Sequence, residues 1–247
     1  MSDTQDAPSP LHEAAASRFP RSSLNGLSTF SPGSMAALVD LASSGPGILM
    51  AVNAEKIARA DPMSIELAER HVAYPDGIGA VLALRRHGLV ATRMPGADLW
   101  LELVDRYAGT RSFVLLGSTQ EVVDAVAAKL RARHPQIDLW HRSGYMSPQE
   151  EEQLEEELHR RRPDFVLVAM GSPRQELLMQ RLYAVHPAVY VGLGGSFDIF
   201  AGAKRRAPRW LQDRGLEWAY RLGREPARLR RLPTYLRFVA LLGSGRV

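Results

Sequence analysis

The feature that most constrains this chain is a rhythm in which short apolar runs alternate with amphipathic stretches of helical period. The apolar runs lie at 48–52, 71–73, 112–116, 137–140, 165–169 and 189–192, and the helical patterns between and around them at 78–87, 98–107, 120–133, 148–161 and 174–184. Strand and helix in strict alternation predict an α/β fold, a Rossmann-like, mostly parallel sheet with helices on both faces. Such sheets bind ligands in the crevice beyond the carboxyl ends of their strands. Four strand-end turns therefore hold the candidate chemistry: Asn53, Pro75-Asp76-Gly77, the run Gly171 to Glu176, and the run Gly192 to Asp198.

The two ends of the chain depart from this rhythm. Residues 1–25 mix Asp, Ser, Pro and Gln with little period and read as a mobile extension. The α/β domain follows at 26–203, opening on a helix expected from Ser31 as cap and Pro32 at the first helical position. Residues 204–247 form a basic helical C-terminal appendage. From Lys204 onward there are 12 basic residues against 3 acidic, a balance of +9, whereas the rest carries 19 against 24, or −5. A tail so polarised calls for an anionic partner. In it Leu229, Leu232, Leu236 and Val239 share one helical stripe, with Arg228 and Arg231 adjacent on a surface. That pattern fits a helix docked on the core and equally a helix lying on an anionic membrane. The acidic run at 150–157 reads as a solvated helix face. The chain has no cysteine, which excludes disulfides, thiolate metal sites and a cysteine nucleophile. Its opening MSDTQDAPSP does not resemble a signal peptide. The apolar run at 238–242 is far short of the ~20 residues that span a bilayer.

Each polar candidate has a plain reading beside a chemical one. Asp76, between a strand and an amphipathic helix, suits a helix cap, or a general base that takes a proton from a hydroxyl nucleophile. Asn53 suits a turn, or hydrogen bonding to substrate hydroxyls. At Gly171 the strand-to-helix turn is either structural or a phosphate cradle to which Arg174 and Gln175 add donors. Gly194 and Gly195 allow close backbone approach to a ligand, or make a sharp turn. The spacing G-x-G-x-x-G follows none of the strands, which disfavours a nicotinamide enzyme.

Several motifs together resemble the WecG/TagA/CpsF family of bacterial glycosyltransferases. They are Val52-Asn53-Ala54-Glu55, Pro75-Asp76-Gly77-Ile78-Gly79, Pro95-Gly96-Ala97-Asp98-Leu99, the Gly171 to Glu176 turn, Gly192 to Asp198, Arg206-Ala207-Pro208-Arg209-Trp210, and Gly215-Leu216-Glu217-Trp218 with Tyr220-Arg221 and Glu225-Pro226. The resemblance implies an inverting transfer, with no cofactor and no metal ion, from a UDP-sugar to a sugar linked through pyrophosphate to a polyprenyl lipid. N-acetylmannosamine and glucose are donors used in the family. The implied place is the cytoplasmic face of the membrane, peripherally bound to its anionic surface. Carried onto this chain, the catalytic base falls on Asp76 and donor-site residues on Asn53 and Gln175. The arginines of a membrane-associating arm fall on Arg221, Arg228 and Arg231. Ala51 and Val52 stand where a hydroxyl residue is frequent, and Ser196 where alanine is. Nucleic acid is not an expected partner, although a non-enzymatic module binding membrane or nucleic acid is the rival reading; a homo-oligomer is compatible with the sequence.

Overall fold

The computed structural model describes residues 7–224, 226–245 and 247, with the backbone alone at 221 and 226–228. The elements run α1 (Pro10–Arg18), β1 (Arg21–Leu24), β2 (Leu27–Phe30), α2 (Met35–Leu41), β3 (Gly47–Val52), α3 (Ala54–Arg59), α4 (Pro62–Arg70) and β4 (Val72–Pro75). They continue with α5 (Ile78–Arg86), α6 (Gly96–Tyr107), β5 (Ser112–Gly117), α7 (Gln120–Arg133), β6 (Asp138–Arg142), α8 (Pro148–Arg161), β7 (Phe165–Ala169), α9 (Arg174–Val185), β8 (Val189–Gly192) and α10 (Ser196–Ala201). The C-terminal arm holds α11 (Arg209–Asp213), α12 (Glu217–Arg224), a 3-10 segment (Pro226–Arg231) and α13 (Leu232–Gly243).

One eight-stranded sheet of order β1-β2-β4-β3-β8-β7-β5-β6 runs through the molecule. Every pairing is parallel except the β1–β2 hairpin at one edge. Successive strand residues serve opposite faces, as the period-2 pleat demands. Leu49, Leu115 and Leu167 join Leu38, Leu103, Val126 and Phe197 on one side. Their neighbours Met50, Val114 and Val166 join Ile57, Leu84, Leu154, Met179 and Phe238 on the other. Helices thus cover both faces, and near-continuous apolar strands follow from burial on both sides.

Two local expectations differ from what forms. The segment read as a mobile extension carries α1 and β1, because Ser9 caps α1 by accepting from the His12 amide, Pro10 starts it, and Leu11, Ala15 and Leu24 are fully buried. The helix expected from Ser31 starts later, with Ser34 as its cap; the Ser31 hydroxyl instead donates to the Val90 carbonyl at 2.7 Å.

α1 also closes a buried imidazole pair. His12 Nδ1 lies 2.8 Å from the His71 carbonyl, Arg21 Nη1 lies 3.0 Å from His12 Nε2, and His71 Nδ1 accepts from the Ile48 amide at 3.3 Å. Burial, then the charges of Arg70 and His12, push the His71 pKa down to about 3. A protonated His71 could no longer accept from Ile48. The unfolded chain takes up this proton below pH ~6.5 and the folded chain resists until near pH 3, so the contribution to stability falls with acidification across that window. In urea denaturation between pH 7 and 4, His71→Gln is expected to be less stable at pH 7 and to lose less on acidification than the parent. Parallel pH slopes for the two proteins would refute the assignment.

Candidate active site

The four strand-end turns expected to carry chemistry come from four strands that are neighbours in the sheet, β4, β3, β8 and β7. Register brings the first two side by side. Val52 pairs with Pro75, and the Asp76 amide donates to the Val52 carbonyl at 3.0 Å. Asn53 and Asp76 therefore leave adjacent strand ends.

Asp76 is half-buried and is not the side-chain cap of α5; Gly77 occupies the cap position without a side-chain bond. Its carboxylate turns the other way and accepts from the Gly96 amide at 2.6 Å. Gly96 sits at a close approach. A Cβ there would stand 3.3 Å from the Tyr74 hydroxyl, 3.6 Å from Asp76 Oδ1 and 3.8 Å from the Gly192 carbonyl, so three oxygens surround the point any side chain would fill. The Tyr74 hydroxyl is buried with no hydrogen-bond partner among the described residues, and burial, reinforced by the Asp76 charge, raises its pKa well above the ordinary phenol value.

Arg206 supplies a cation within electrostatic reach of Asp76. It grips Asp98 with both ends of its guanidinium, Nη1 on Oδ1 and Nη2 on Oδ2 at 2.8 Å, and it attracts Asp76. Hydrogen bonds to Asp98 raise its pKa against the cost of burial, and the charges of Asp98, Glu217 and Asp76 add to the rise.

Asn53 takes its plain reading at one atom: Oδ1 caps α3 by accepting from the Lys56 amide at 3.0 Å. Gln175 is buried within the wall of the cleft. Its Oε1 accepts from the Gly171 amide at 3.2 Å and from the Gly194 amide at 2.9 Å, tying the β7 turn to the β8 turn. Arg174 and Gly195 are exposed at the rim of those turns, and Gly171 and Gly194 adopt the left-handed conformation. Arg231 of the arm reaches the core through Glu55 of α3, Nη1 to Oε2 at 2.8 Å. The side chains of Arg221 and Arg228 lie outside the described residues.

Beneath these turns lies a buried ion pair with no local signature in the sequence. Lys56 Nζ donates to Glu176 Oε1 at 2.7 Å; Ser172 Oγ and Gln175 Nε2 donate to the same oxygen at 2.6 and 3.1 Å. Burial raises the Glu176 pKa, but the Lys56 charge and these hydrogen bonds outweigh it and hold the carboxyl below its usual range. Its contribution is present at neutral pH and is lost as pH falls through the depressed folded value. Lys56→Ala leaves this carboxylate buried without its cation, and such a loss costs about 3–5 kcal/mol. Chemical denaturation should record that loss, and the double variant Lys56→Met with Glu176→Leu should recover most of it; a single-variant loss under ~1 kcal/mol would contradict the assignment.

Among the described residues, no group of three or more His, Asp or Glu side chains is placed to hold a metal ion, and no helix is long and apolar enough to cross a membrane. A comparison with known families decides what this cleft belongs to: the glycosyl transferase WecG/TagA/CpsF family matches residues 26–246. The chain belongs to that family. Within the WecG/TagA/CpsF glycosyltransferases the match spans strands β2 to β8, all four strand-end turns and the arm, so the resemblance carried by the motifs holds over nearly the whole chain. The family assignment makes the protein a glycosyltransferase of cell-surface polysaccharide biosynthesis. Sequence reasoning passed over Lys56, Tyr74 and Arg93. Lys56 acquires its meaning from Glu176, 120 residues along the chain, and Arg93 from Glu217, 124 along, while Tyr74 reads locally as an ordinary apolar strand residue.

Proposed function

We propose that the chain transfers a hexosyl group from a UDP-sugar to a sugar carried on a polyprenyl pyrophosphate, with inversion, and that Asp76 is the general base. The observation that carries this reading is the half-buried carboxylate of Asp76 at the mouth of four adjacent strand ends, fixed by the Gly96 amide and within the electrostatic reach of Arg206. A helix cap would spend that carboxylate on α5, and here it is spent on the cleft. In the reaction, the acceptor hydroxyl gives its proton to Asp76 as its oxygen attacks the anomeric carbon. The bond from that carbon to the UDP diphosphate breaks on the opposite side, and the new glycosidic bond forms with inverted configuration.

Negative charge then gathers on the departing diphosphate, and preorganised donors stabilise it most where water is excluded. The Gly171 and Gly194 turns, with Asn53 and Arg174 around them, suit the donor nucleotide, and Gln175 acts by accepting from both glycine amides and so holding the two turns together. The arginines of the arm, Arg221, Arg228 and Arg231, complete this cationic environment. The arm also suits the cytoplasmic face of an anionic membrane. Its stripe Leu229, Leu232, Leu236 and Val239 is exposed to 54, 42, 65 and 62%, while Phe238 is the side chain that turns inward onto the core. A helix docked by that stripe would have hidden it. We therefore favour the membrane-surface reading over a purely core-docked helix, and the enzyme over the tether, since a tether has no use for the Asp76 cleft.

The test is to incubate the purified protein with a panel of UDP-sugars and a short-chain polyprenyl-pyrophosphate sugar. Release of UDP that depends on both substrates, with the product anomer inverted, is expected. A salt-sensitive nucleic-acid complex with no turnover of any UDP-sugar would overturn the reading.

A further inference from the structure

Two guanidinium groups, Arg93 of the α/β domain and Arg206 at the junction where the appendage begins, converge on one carboxylate of the arm. Glu217 lies in the first turn of α12 and its side chain is only 12% exposed; Arg93 Nη1 stands 3.4 Å from its Oε2 and Arg206 Nε stands 3.9 Å from its Oε1. Each oxygen thus faces its own cation, and both cations are four-fifths shielded from solvent, at 21 and 22% exposure. Arg206 is the same side chain that holds Asp98 of α6, so one guanidinium links the arm to the α6 start, and Asp76 lies within its electrostatic reach.

Steric contact reinforces the charge. Gly215, at φ +70° in the turn before α12, packs against the core so closely that a Cβ would stand 2.9 Å from Ile78 Cγ1. Ile78 opens α5 directly after Asp76-Gly77. The start of α12 is therefore seated on the turn that carries Asp76.

We propose that Glu217 is the latch that seats the arm on the core, a positioning residue that acts through Arg93 and Arg206 and couples the docking of α12 to the Asp76 cleft. The coupling to turnover rests on the glycosyltransferase reading; the docking does not. An acidic residue in a first helical turn also favours the helix by itself, but that effect is a local one of a few tenths to 1 kcal/mol and needs neither arginine. A latch makes the two arginines and Glu217 interdependent, because neutralising either side removes the same interaction.

Hydrogen exchange on the full-length protein separates these accounts. Glu217→Gln, which keeps the shape and removes the charge, is expected to speed exchange across 215–224 about tenfold, with β7 unchanged. Arg93→Gln should do the same, and the double variant should exchange no faster than the worse single variant. Unchanged exchange at 215–224 in Glu217→Gln, or fully additive effects in the double variant, would overturn the latch whatever the activity. Faster exchange with the predicted non-additivity supports it even if no UDP-sugar is consumed, and that last result would fall on the enzymatic reading alone.

Discussion

Asp76→Asn is expected to bind a UDP-sugar normally and to turn it over about 10²- to 10⁴-fold more slowly, the range general-base catalysis contributes. Asparagine is nearly isosteric, and its side-chain oxygen can still accept from the Gly96 amide that holds Asp76 Oδ1 at 2.6 Å. The amide cannot take a proton from the acceptor hydroxyl. The loss should therefore appear in kcat at saturating donor, with little change in donor affinity measured by equilibrium titration. Near-normal turnover would take the base role away from Asp76, and weakened donor binding with normal kcat would recast it as a donor-site residue.

Much of this cleft was legible because it obeys local rules. The boundaries of β7, β8, α7 and α8 coincide with runs whose period is plain in the sequence, and Thr119, Ser147 and Pro148 mark helix starts by ordinary cap chemistry. Once strands and helices alternate, a parallel sheet follows, and with it the direction in which every strand-end turn must point. Asn53, Asp76, Gly171 and Gly194 could be placed at one end of the sheet on that ground alone.

What could not be read depends on distance along the chain. Asp98 and Arg206 are 108 residues apart and Lys56 and Glu176 are 120 apart, so each pair looks like unrelated surface charge until the fold closes. The order of strands had the same character: it is the insertion of β8 between β3 and β7 that gathers the four turns. Asn53 illustrates the limit from the other side. Its two readings were a turn and a substrate contact, and what forms at Oδ1 is a helix cap committed to the Lys56 amide.

Removing the arm after Pro208 is expected to abolish sugar transfer and liposome association while leaving the sheet intact. The cut is placed there because Arg206 grips Asp98 and belongs to the wall of the cleft, and a shorter protein would lose that pair as well. What departs is Arg231 with its contact to Glu55, the exposed stripe, and α13, which packs on α3. Two losses are thereby combined, and they separate by substitution. Leu232→Ser, Leu236→Ser and Val239→Ser together touch only exposed positions, so the fold and turnover of a water-soluble short-chain acceptor should persist while binding to anionic liposomes falls. With ~1 kcal/mol from each basic residue near the surface, raising the salt should weaken what binding remains. Arg231→Ala should do the reverse, slowing transfer of the soluble acceptor while liposome binding is nearly kept. Full-rate transfer by the truncated protein would show that the cleft needs no arm. Undiminished liposome binding by the triple variant would move the membrane contact off α13.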